Sequence, residues 1–409
     1  MKRKLFIAVF SLFFCSFCYA QSKGDTDYSP VTLRLNLGEA NGASEKDVFD
    51  EVSFIPLETN SNSLFGRISQ LEVTDDYFII LDGDTNSILF FNKSGKFRNK
   101  IKGGNKSVNP RKIISKFIIN RYKKEILFKT LANDFYYVYD FNCVKKETIA
   151  IQNSKFSNNM EFLSKENFVA SNNYGHTGDS VKSFLSFFKN NDNYSTSLPY
   201  TNNDYLNGDV RSSSGNSDPF YFYGNDTTLF YTKPYDYNIY AVSSKSTKVA
   251  YHLVFTMDNA LPANFLKDSV YSGKRVKFLQ DHPEMVFAIS NCYKLGNKLL
   301  FKANNSDNNF KTNYMYDVKA ANLVSFDKIT PDELSYYLPI AYDGLDYRNN
   351  GLAACEGGYV YTDISAMDLL NSFYDTKNKR AEISGDLAGF FKRNDKQSNP
   401  VIIKLHLKN

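Results

Sequence analysis

Apolar residues in this chain occur in short bursts that are separated by clusters of Asn, Asp, Gly and Ser. The bursts are rich in β-branched and aromatic residues, which favour strands, and the intervening residues favour turns. This alternation is typical of an all-β protein that is built from many short strands.

One kind of burst recurs six times, with its first strand residue near positions 78, 126, 168, 229, 299 and 359. A repeat of about 42 to 70 residues that holds about four strands is typical of a β-propeller blade, whereas a solenoid turn is shorter. The recurring segments are residues 77–82, 125–128, 167–170, 228–231, 298–301 and 358–361. The pattern therefore predicts a six-bladed β-propeller with a few short helical insertions.

Individual strands are clearest in the first two predicted blades. In the first blade they are residues 68–73, 77–81, 88–92 and 97–101, and in the second 113–119, 125–129, 136–141 and 147–151. Asp, Asn and Gly in the turns tolerate a left-handed backbone or bond their own backbone. In the longer later blades, residues 261–280 and 364–373 are the helical candidates.

The two ends of the propeller sequence are predicted to pair with each other. Residues 401–407 alternate inward and outward, and residues 52–57 precede the first complete blade without a partner of their own. Pairing them inside the last blade closes the ring and removes two exposed strand edges. We therefore expect residues 49–409 to form the propeller and residues 21–48 to be a lead segment partly outside it.

The N-terminus has the composition of an export signal. Residues 2–4 are basic, residues 5–14 form a short apolar core, and Ala20 supplies a small residue before a plausible cleavage point at Gln21. Residues 1–20 are thus predicted to be a signal peptide, and the mature protein to be periplasmic or extracellular. No later stretch approaches the roughly 20 apolar residues that a spanning helix needs.

Lipid attachment is the alternative interpretation of this N-terminus. Cys15 and Cys18 lie in the right region, but Phe14 and Phe17 precede them where a lipoprotein signal has a small residue.

The charge of the mature chain argues against a nucleic-acid partner. Without residues 2–4, 46 of the 49 basic residues remain against 44 acidic ones, a formal charge of about +2 with both signs interspersed. Binding to nucleic acid requires a concentrated basic face.

Catalytic and metal-binding motifs are not found in the sequence. The four histidines are far apart, and the chain has neither a Gly-x-Ser-x-Gly elbow nor a phosphate-binding glycine loop. Cys143, Cys292 and Cys355 remain after the signal, either packed separately as small apolar residues or with one pair bridged. We therefore predict no cofactor, no metal and no catalytic residue. The segment 82–84 (DGD) is either a simple turn or a fragment of a calcium loop.

Three segments of the chain resemble a known family, the exported bacterial six-bladed propellers that are related in architecture to NHL-repeat proteins. They are residues 55–59 (IPLET), the strand pair 79–82 and 90–97 (FFNKSGKF), and the closing residues 399–404 (NPVIIK). The resemblance covers nearly the whole mature chain, and it implies the fold and export but no settled reaction. The family's Gly-x-Gly-Pro loop after the first blade is altered here to residues 103–105 (GGN) followed by Asn109-Pro110.

Propeller topology gathers the polar turns on one face. Connections between second and third strands, and connections between consecutive blades, open there, and they hold mixed charges and tyrosines. We predict that this face binds a protein, peptide or glycan without a chemical step, and that the protein is a monomer. The predicted ligand-binding residues are Arg67, Asp82, Asp84, Tyr174, His176, Tyr235, Asp236 and Asp343, and Asn133, Asp134, Asp307 and Arg348 lie on the same face.

An enzyme is the second hypothesis. A lyase or glycoside hydrolase would use paired carboxylates with His176 or a tyrosine, and hydrolysis needs two carboxylates roughly 5 to 10 Å apart.

Overall fold

A computed structural model describes residues 29–104, 112–131, 134–151, 155–157, 159–172, 181–201, 219–225, 227–307, 312–340, 352–379, 382–393 and 395–408. These residues form six sheets, each of which is one blade of a β-propeller, and this confirms the predicted fold.

An N-terminal segment precedes the blades and contains β1 (Val31–Leu35), β2 (Asn41–Ser44), the short helix α1 (Glu45–Val48) and β3 (Phe49–Pro56).

The first three blades then follow in chain order, each with its first strand innermost and its fourth strand outermost. Blade 1 contains β4 (Gln70–Val73), β5 (Tyr77–Asp82), β6 (Ser87–Asn92) and β7 (Phe97–Lys102). Blade 2 contains β8 (Ile114–Asn120), β9 (Glu125–Thr130), β10 (Phe135–Asp140) and β11 (Lys145–Ala150). Blade 3 contains β12 (Met160–Phe162), β13 (Asn167–Ser171), β14 (Lys182–Lys189) and β15 (Asp192–Tyr200).

The second half of the ring is more elaborate. Blade 4 contains β16 (Phe220–Asn225), β17 (Thr228–Tyr231), β18 (Asn238–Ser243) and β19 (Thr247–Phe255), and α2 (Arg275–Asp281) follows it. Blade 5 contains β20 (Ala288–Leu295), β21 (Lys298–Asn304), β22 (Asn313–Asp317) and β23 (Asn322–Thr330). Blade 6 contains β24 (Ala354–Glu356), β25 (Tyr359–Ile364), the helices α3 (Ala366–Asp375) and α4 (Gly385–Arg393), and β26 (Val401–Leu407). Single 3-10 turns occur at Leu37–Glu39, Ser269–Tyr271 and Glu333–Ser335.

Predicted and observed strands of blades 1 and 2 agree to within about two residues. The helix predicted at residues 364–373 is α3. Within residues 261–280, a 3-10 turn and six of the seven residues of α2 are helical, so that prediction was right only for its C-terminal part. Helix α4 was not predicted, although Leu387, Phe390 and Phe391 lie at helical spacing and are buried. Within the described ranges, no helix is long and apolar enough to cross a bilayer.

The core consists of apolar layers between neighbouring blades. In β5, Phe78 and Ile80 pack against blade 6, while the alternate residues Ile79 and Leu81 pack against blade 2. Because each face of a strand meets another sheet, the central strands are apolar at consecutive positions and lose the polar alternation of a one-sided sheet. The three cysteines after the predicted signal are free thiols, with Cys292 and Cys355 buried and Cys143 half-buried.

Ring closure takes place in blade 6, as predicted. Strand β26 lies between β25 and β3, with Val401 opposite Pro56 and Leu405 opposite Val52. The buried Asn399 reinforces this junction. Its side-chain nitrogen donates to the carbonyls of Glu58 at 2.8 Å and Ser63 at 2.9 Å.

The N-terminal segment extends two other blades. Strand β1 pairs in parallel with β19, and β2 pairs in parallel with β23, so each blade gains a fifth, outermost strand. Leu33 and Leu35 are buried in this arrangement. Residues 31–48, which the sequence placed in a lead segment, therefore cover the edges of blades 4 and 5, and β3 completes blade 6.

A buried carboxyl group lies where this segment meets the chain between blades 5 and 6. Glu45 in α1 has no exposed surface, and its Oε2 accepts from the backbone N–H of Asp332 at 3.2 Å. Its Oε1 has no hydrogen-bond partner. Burial, with the charge of Asp332 as a smaller cause, raises the pKa of Glu45 from 4.5 to about 7.

Deleting residues 401–409 should destabilise the whole propeller, because β26 is an interior strand of the closing blade. Its buried residues, among them Ile402 and Ile403, each contribute about 1.5 to 3 kcal/mol, which together is comparable with the net stability of a domain. Thermal unfolding measures the effect. Removing only residues 408–409, which follow β26 in the sequence, is the control, and an unchanged midpoint for the longer deletion would contradict the closure.

Glu45 should make the protein less stable as the pH rises from about 4.5 to 7. In this window the folded state retains a proton that the unfolded state has released, so the free energy of unfolding falls by on the order of 3 kcal/mol at most. In Glu45→Gln that part of the pH dependence should disappear. Urea unfolding at pH 5 and pH 8 tests this, with exposed Glu39→Gln as control. Equal pH dependence in wild type and Glu45→Gln would rule out the effect.

Candidate functional site

The two faces of the ring differ in their connections. On the lower face, first and second strands are joined by tight turns such as residues 74–76 and 357–358, and third and fourth strands by turns such as 93–96. On the upper face the connections include residues 256–287 and the segment between β25 and β26 that contains α3 and α4. Long connections on a rigid scaffold are where binding residues usually lie, and the predicted site residues belong to the upper face.

Asp82 anchors the upper-face turn of blade 1. It is fully buried, and its carboxylate accepts from the backbone N–H groups of Arg67 at 3.4 Å, Asp84 at 3.1 Å and Thr85 at 2.7 Å. These bonds tie the turn to the chain that enters the blade. Asp82 therefore holds the loop in place from within and presents no carboxylate to solvent.

Comparable polar anchors occur at or near the ends of other second strands. The Thr232 hydroxyl donates to the carbonyl of Ile289 at 2.7 Å, and the Thr362 hydroxyl donates to the carbonyl of Ile340 at 2.5 Å. All three anchors join a second strand to an inter-blade connection or to the next blade, which explains a buried polar residue there.

Arg67 and Asp84 are brought together at the same rim, and both are exposed. The Asp84 carboxylate packs closely against Gly66, the residue before Arg67. A Cβ atom added at Gly66 would be only 2.5 Å from Asp84 Oδ2. A basic and an acidic residue, both exposed, thus lie at the same rim of blade 1.

Tyr235 and Asp236 lie in the upper connection of blade 4. Tyr235 has a left-handed backbone with φ of 61°, which is unusual for an aromatic residue, and its N–H donates to the carbonyl of Phe287 at 2.6 Å. Backbone conformations of this kind occur disproportionately at binding sites. The half-buried Tyr235 ring lies 5.8 Å from the ring of Phe265.

The Asp236 carboxylate is held by internal contacts. It pairs with Lys233 Nζ at 2.5 Å and accepts from the Tyr240 hydroxyl at 2.7 Å and the backbone N–H of Asn238 at 2.9 Å. Burial, followed by the charge of Asp236, raises the pKa of Tyr240. Only 11% of the Asp236 side chain is exposed, so its main role is to organise this connection.

An aromatic cluster surrounds Tyr235 at the junction of blades 3 and 4. Phe184 and Tyr200 are buried with ring centroids 4.4 Å apart, and the Tyr235 and Leu266 side chains pack on them. Lys233 Nζ lies 5.0 Å from the Phe184 ring. The site thus combines an apolar base with an ion pair.

The remaining predicted ligand-binding residues, Tyr174, His176 and Asp343, lie outside the described residues, as do Asn133 and Arg348 of the same face. The two ends of the chain stretch that carries Tyr174 and His176 are close together. Asn172 Nδ2 donates to the carbonyl of Ser183 at 2.8 Å.

The sequence did not indicate an ion-pair cluster at the lower end of the channel. Arg121 of blade 2 bonds Glu72 of blade 1 at 2.9 Å and Glu356 of blade 6 at 3.1 Å, and its guanidinium lies 4.1 Å from the ring of Phe222 in blade 4. Four blades thus meet at one guanidinium. The polar residues Glu72 and Glu356 on inner strands could have pointed to a site in the channel. The sequence does not show that they meet Arg121, because the three residues are far apart in the chain.

Lys93 lies close to this cluster, between the rings of Phe78 and Tyr361 at 4.6 and 5.1 Å. Its Nζ donates to the carbonyl of Thr74 at 3.0 Å. Burial lowers the pKa of Lys93 from 10.5 to about 8, although the negative charge of Glu356 opposes the shift.

This region also holds a pair of carboxylates, the kind of group that glycoside hydrolysis requires. Glu72 and Glu356 both accept hydrogen bonds from the Arg121 guanidinium, so the two carboxylates hold this arginine in place. Across the described part of the chain, no three His, Cys, Asp or Glu side chains come together as metal ligands.

Known proteins include one matching family and several similar structures. A family described as "Domain of unknown function (DUF4934)" matches residues 31–406. A Bacteroides fragilis protein that is predicted to be exported has a similar structure, with a TM-score of 0.68 and 15% identity over 93% of this chain and 100% of that chain. A duf4221 family member from Bacteroides vulgatus gives a TM-score of 0.45 at 9% identity, over 88% of this chain and 98% of that chain. No curated protein matches.

Replacing Arg121 with Met should destabilise the ring by about 2 to 4 kcal/mol, because two largely buried carboxylates lose their partner. Lys124→Met is the matched control. Lys124 pairs with Asp76 at 2.9 Å, but both side chains are more than half exposed, so its loss should cost less than about 1 kcal/mol. Urea unfolding of both variants provides the comparison, and equal losses would show that the cluster is no stronger than a surface pair.

Proposed function

We propose that this chain, which belongs to the family described as "Domain of unknown function (DUF4934)", is an exported propeller that binds a protein, peptide or glycan on its upper face. Binding itself is the function in this proposal, and no bond is made or broken.

The unequal length of the connections on the two faces carries the proposal. Tight turns on the lower face leave little surface that could be adapted to a ligand. Longer connections follow β19, β23 and β25 on the upper face, where residues 256–287, 331–340 and 365–379 are described. Because the sheets beneath are buried on both faces, these loops rest on a rigid base. Such a base reduces the entropy that a binding surface loses when it is occupied.

The chemistry of the upper face suits a polar ligand with some apolar surface. Arg67 and Asp84 present opposite charges, and the Tyr235 ring stands on an apolar base beside the Lys233–Asp236 pair. Tyrosine and arginine are enriched in binding sites because they combine apolar area with directional polar groups. Tyr174, His176 and Asp343 are proposed to join them on this face.

Export is supported by the basic, apolar and small-residue order of residues 1–20. The Bacteroides fragilis protein of similar fold is predicted to be exported as well. We therefore place the binding function in the periplasm or outside the cell.

Substitutions on the two faces should separate binding from folding. A ligand is first identified by screening the purified protein against glycans, peptides and co-exported proteins. Arg67→Ala and Asp84→Ala should then each cost more than about 1 kcal/mol of binding, roughly a fivefold rise in Kd, with unchanged thermal stability. Tyr235→Gly should also weaken binding, because it removes the ring at a backbone conformation that glycine adopts freely.

Two controls complete the experiment. Lys123→Ala changes an exposed lower-face residue and should leave Kd unchanged. Asp236→Ala should lower stability as well as binding, since its carboxylate is used internally. Equal losses from upper- and lower-face variants would refute the proposal. Turnover of any ligand that a single carboxylate or His176 substitution abolishes would instead establish the enzyme, a lyase or glycoside hydrolase.

A further inference from the structure

The helical insertion of blade 6 contains a cavity whose lining residues are separate from those proposed to bind the ligand of the upper face. Helices α3 and α4 leave between them an open space of about 370 Å³. This volume lies within the range of small-molecule sites, about 300 to 1,000 Å³.

The floor of the cavity is apolar and firmly supported. The Phe373 and Phe391 rings stack with centroids 3.8 Å apart, and Ile383 and Ala388 complete the floor. Leu369 and Leu370 of α3, and Leu387 and Phe390 of α4, are buried in the main core. Because both helices are anchored in this way, the floor is preformed and does not have to be assembled by a ligand.

The rim of the cavity is polar and carries an excess of positive charge. Lys377 follows α3, and Lys392 lies in the last turn of α4; both are exposed, as is Glu382. Two ammonium groups and one carboxylate leave one positive charge at the rim. A ligand that supplies one negative charge would balance it, while its apolar part could cover the aromatic floor.

We propose that this cavity binds a small amphipathic carboxylate, an acid whose alkyl or aryl body packs on Phe373 and Phe391 and whose carboxylate pairs with Lys377 and Lys392. The ion pairs select an anion over a neutral or cationic molecule with the same apolar body, and the floor selects an apolar body over a bare anion. This site does not depend on the partner proposed above, and its test needs none.

Isothermal titration of the mature chain with octanoate and with 3-phenylpropionate at pH 7.5 tests the proposal. At least one should bind saturably with a Kd below about 10 mM. Octan-1-ol should bind at least about fivefold more weakly than octanoate, and octyltrimethylammonium more weakly still. Failure of both acids to bind, or equal binding of octan-1-ol, would overturn the proposal.

Matched variants locate the binding. Lys392→Glu and Lys377→Glu reverse the rim charge at exposed positions, so the fold should persist and Kd should rise about tenfold. Ala388→Phe fills the floor and should abolish binding, with circular dichroism and the thermal midpoint confirming that it is folded. Lys379→Glu makes the same charge change at an exposed residue that does not line the cavity, and Kd should change less than about twofold. If Lys379→Glu weakened binding as much as Lys392→Glu, the effect would come from the overall charge of the protein, and the proposed site would be rejected.

Discussion

Pairing between the two ends of the propeller sequence is the constraint on which the rest of the structure depends. Each blade has apolar side chains on both faces, so each needs a neighbour on either side. Only a closed ring gives each of the six sheets a neighbour on both faces, through six sheet–sheet interfaces. The antiparallel ladder between β26 and β3 closes it, and Asn399 secures the turn beside it through four hydrogen bonds to the chain that leads into blade 1.

The ring also explains where the polar residues are used. Where second strands end, backbone groups of inter-blade connections or of the next blade have to be satisfied away from water, and Asp82, Thr232 and Thr362 provide partners. At the lower end of the channel, Arg121 neutralises two carboxylates from different blades. A conspicuous acidic residue in this protein is therefore often a structural one. The residues proposed for recognition are exposed ones such as Arg67 and Asp84, whose backbone N–H groups are held by Asp82.

Recognition is consequently proposed for the upper face in two forms. Short loops over blades 1 and 4 present charges and an aromatic ring for a larger partner, while the helical insertion of blade 6 forms a cavity of its own. Both rest on sheets with buried faces, so the loops can vary without disturbing the ring. The N-terminal strands on blades 4 and 5 protect the outer edges of the half of the ring that carries α2, α3 and α4.

The sequence alone determined the fold class, the six blades, the strands of blades 1 and 2 and the pairing that closes the ring. These features follow from local periodicity and turn chemistry, which are written in consecutive residues. The sequence also indicated which face would gather the polar loops, because the order of strands within a blade decides on which face each connection lies. Tertiary structure alone decided that residues 31–44 add parallel strands to blades 4 and 5, that Asp82 and Asp236 are internal, and that Arg121, Glu72, Glu356 and Phe222 meet. The cavity between α3 and α4 was likewise decided by the tertiary structure alone. In each case the outcome depends on contacts between residues far apart in the chain, and a side chain's local sequence does not specify whether its charge will face solvent or a partner from another blade.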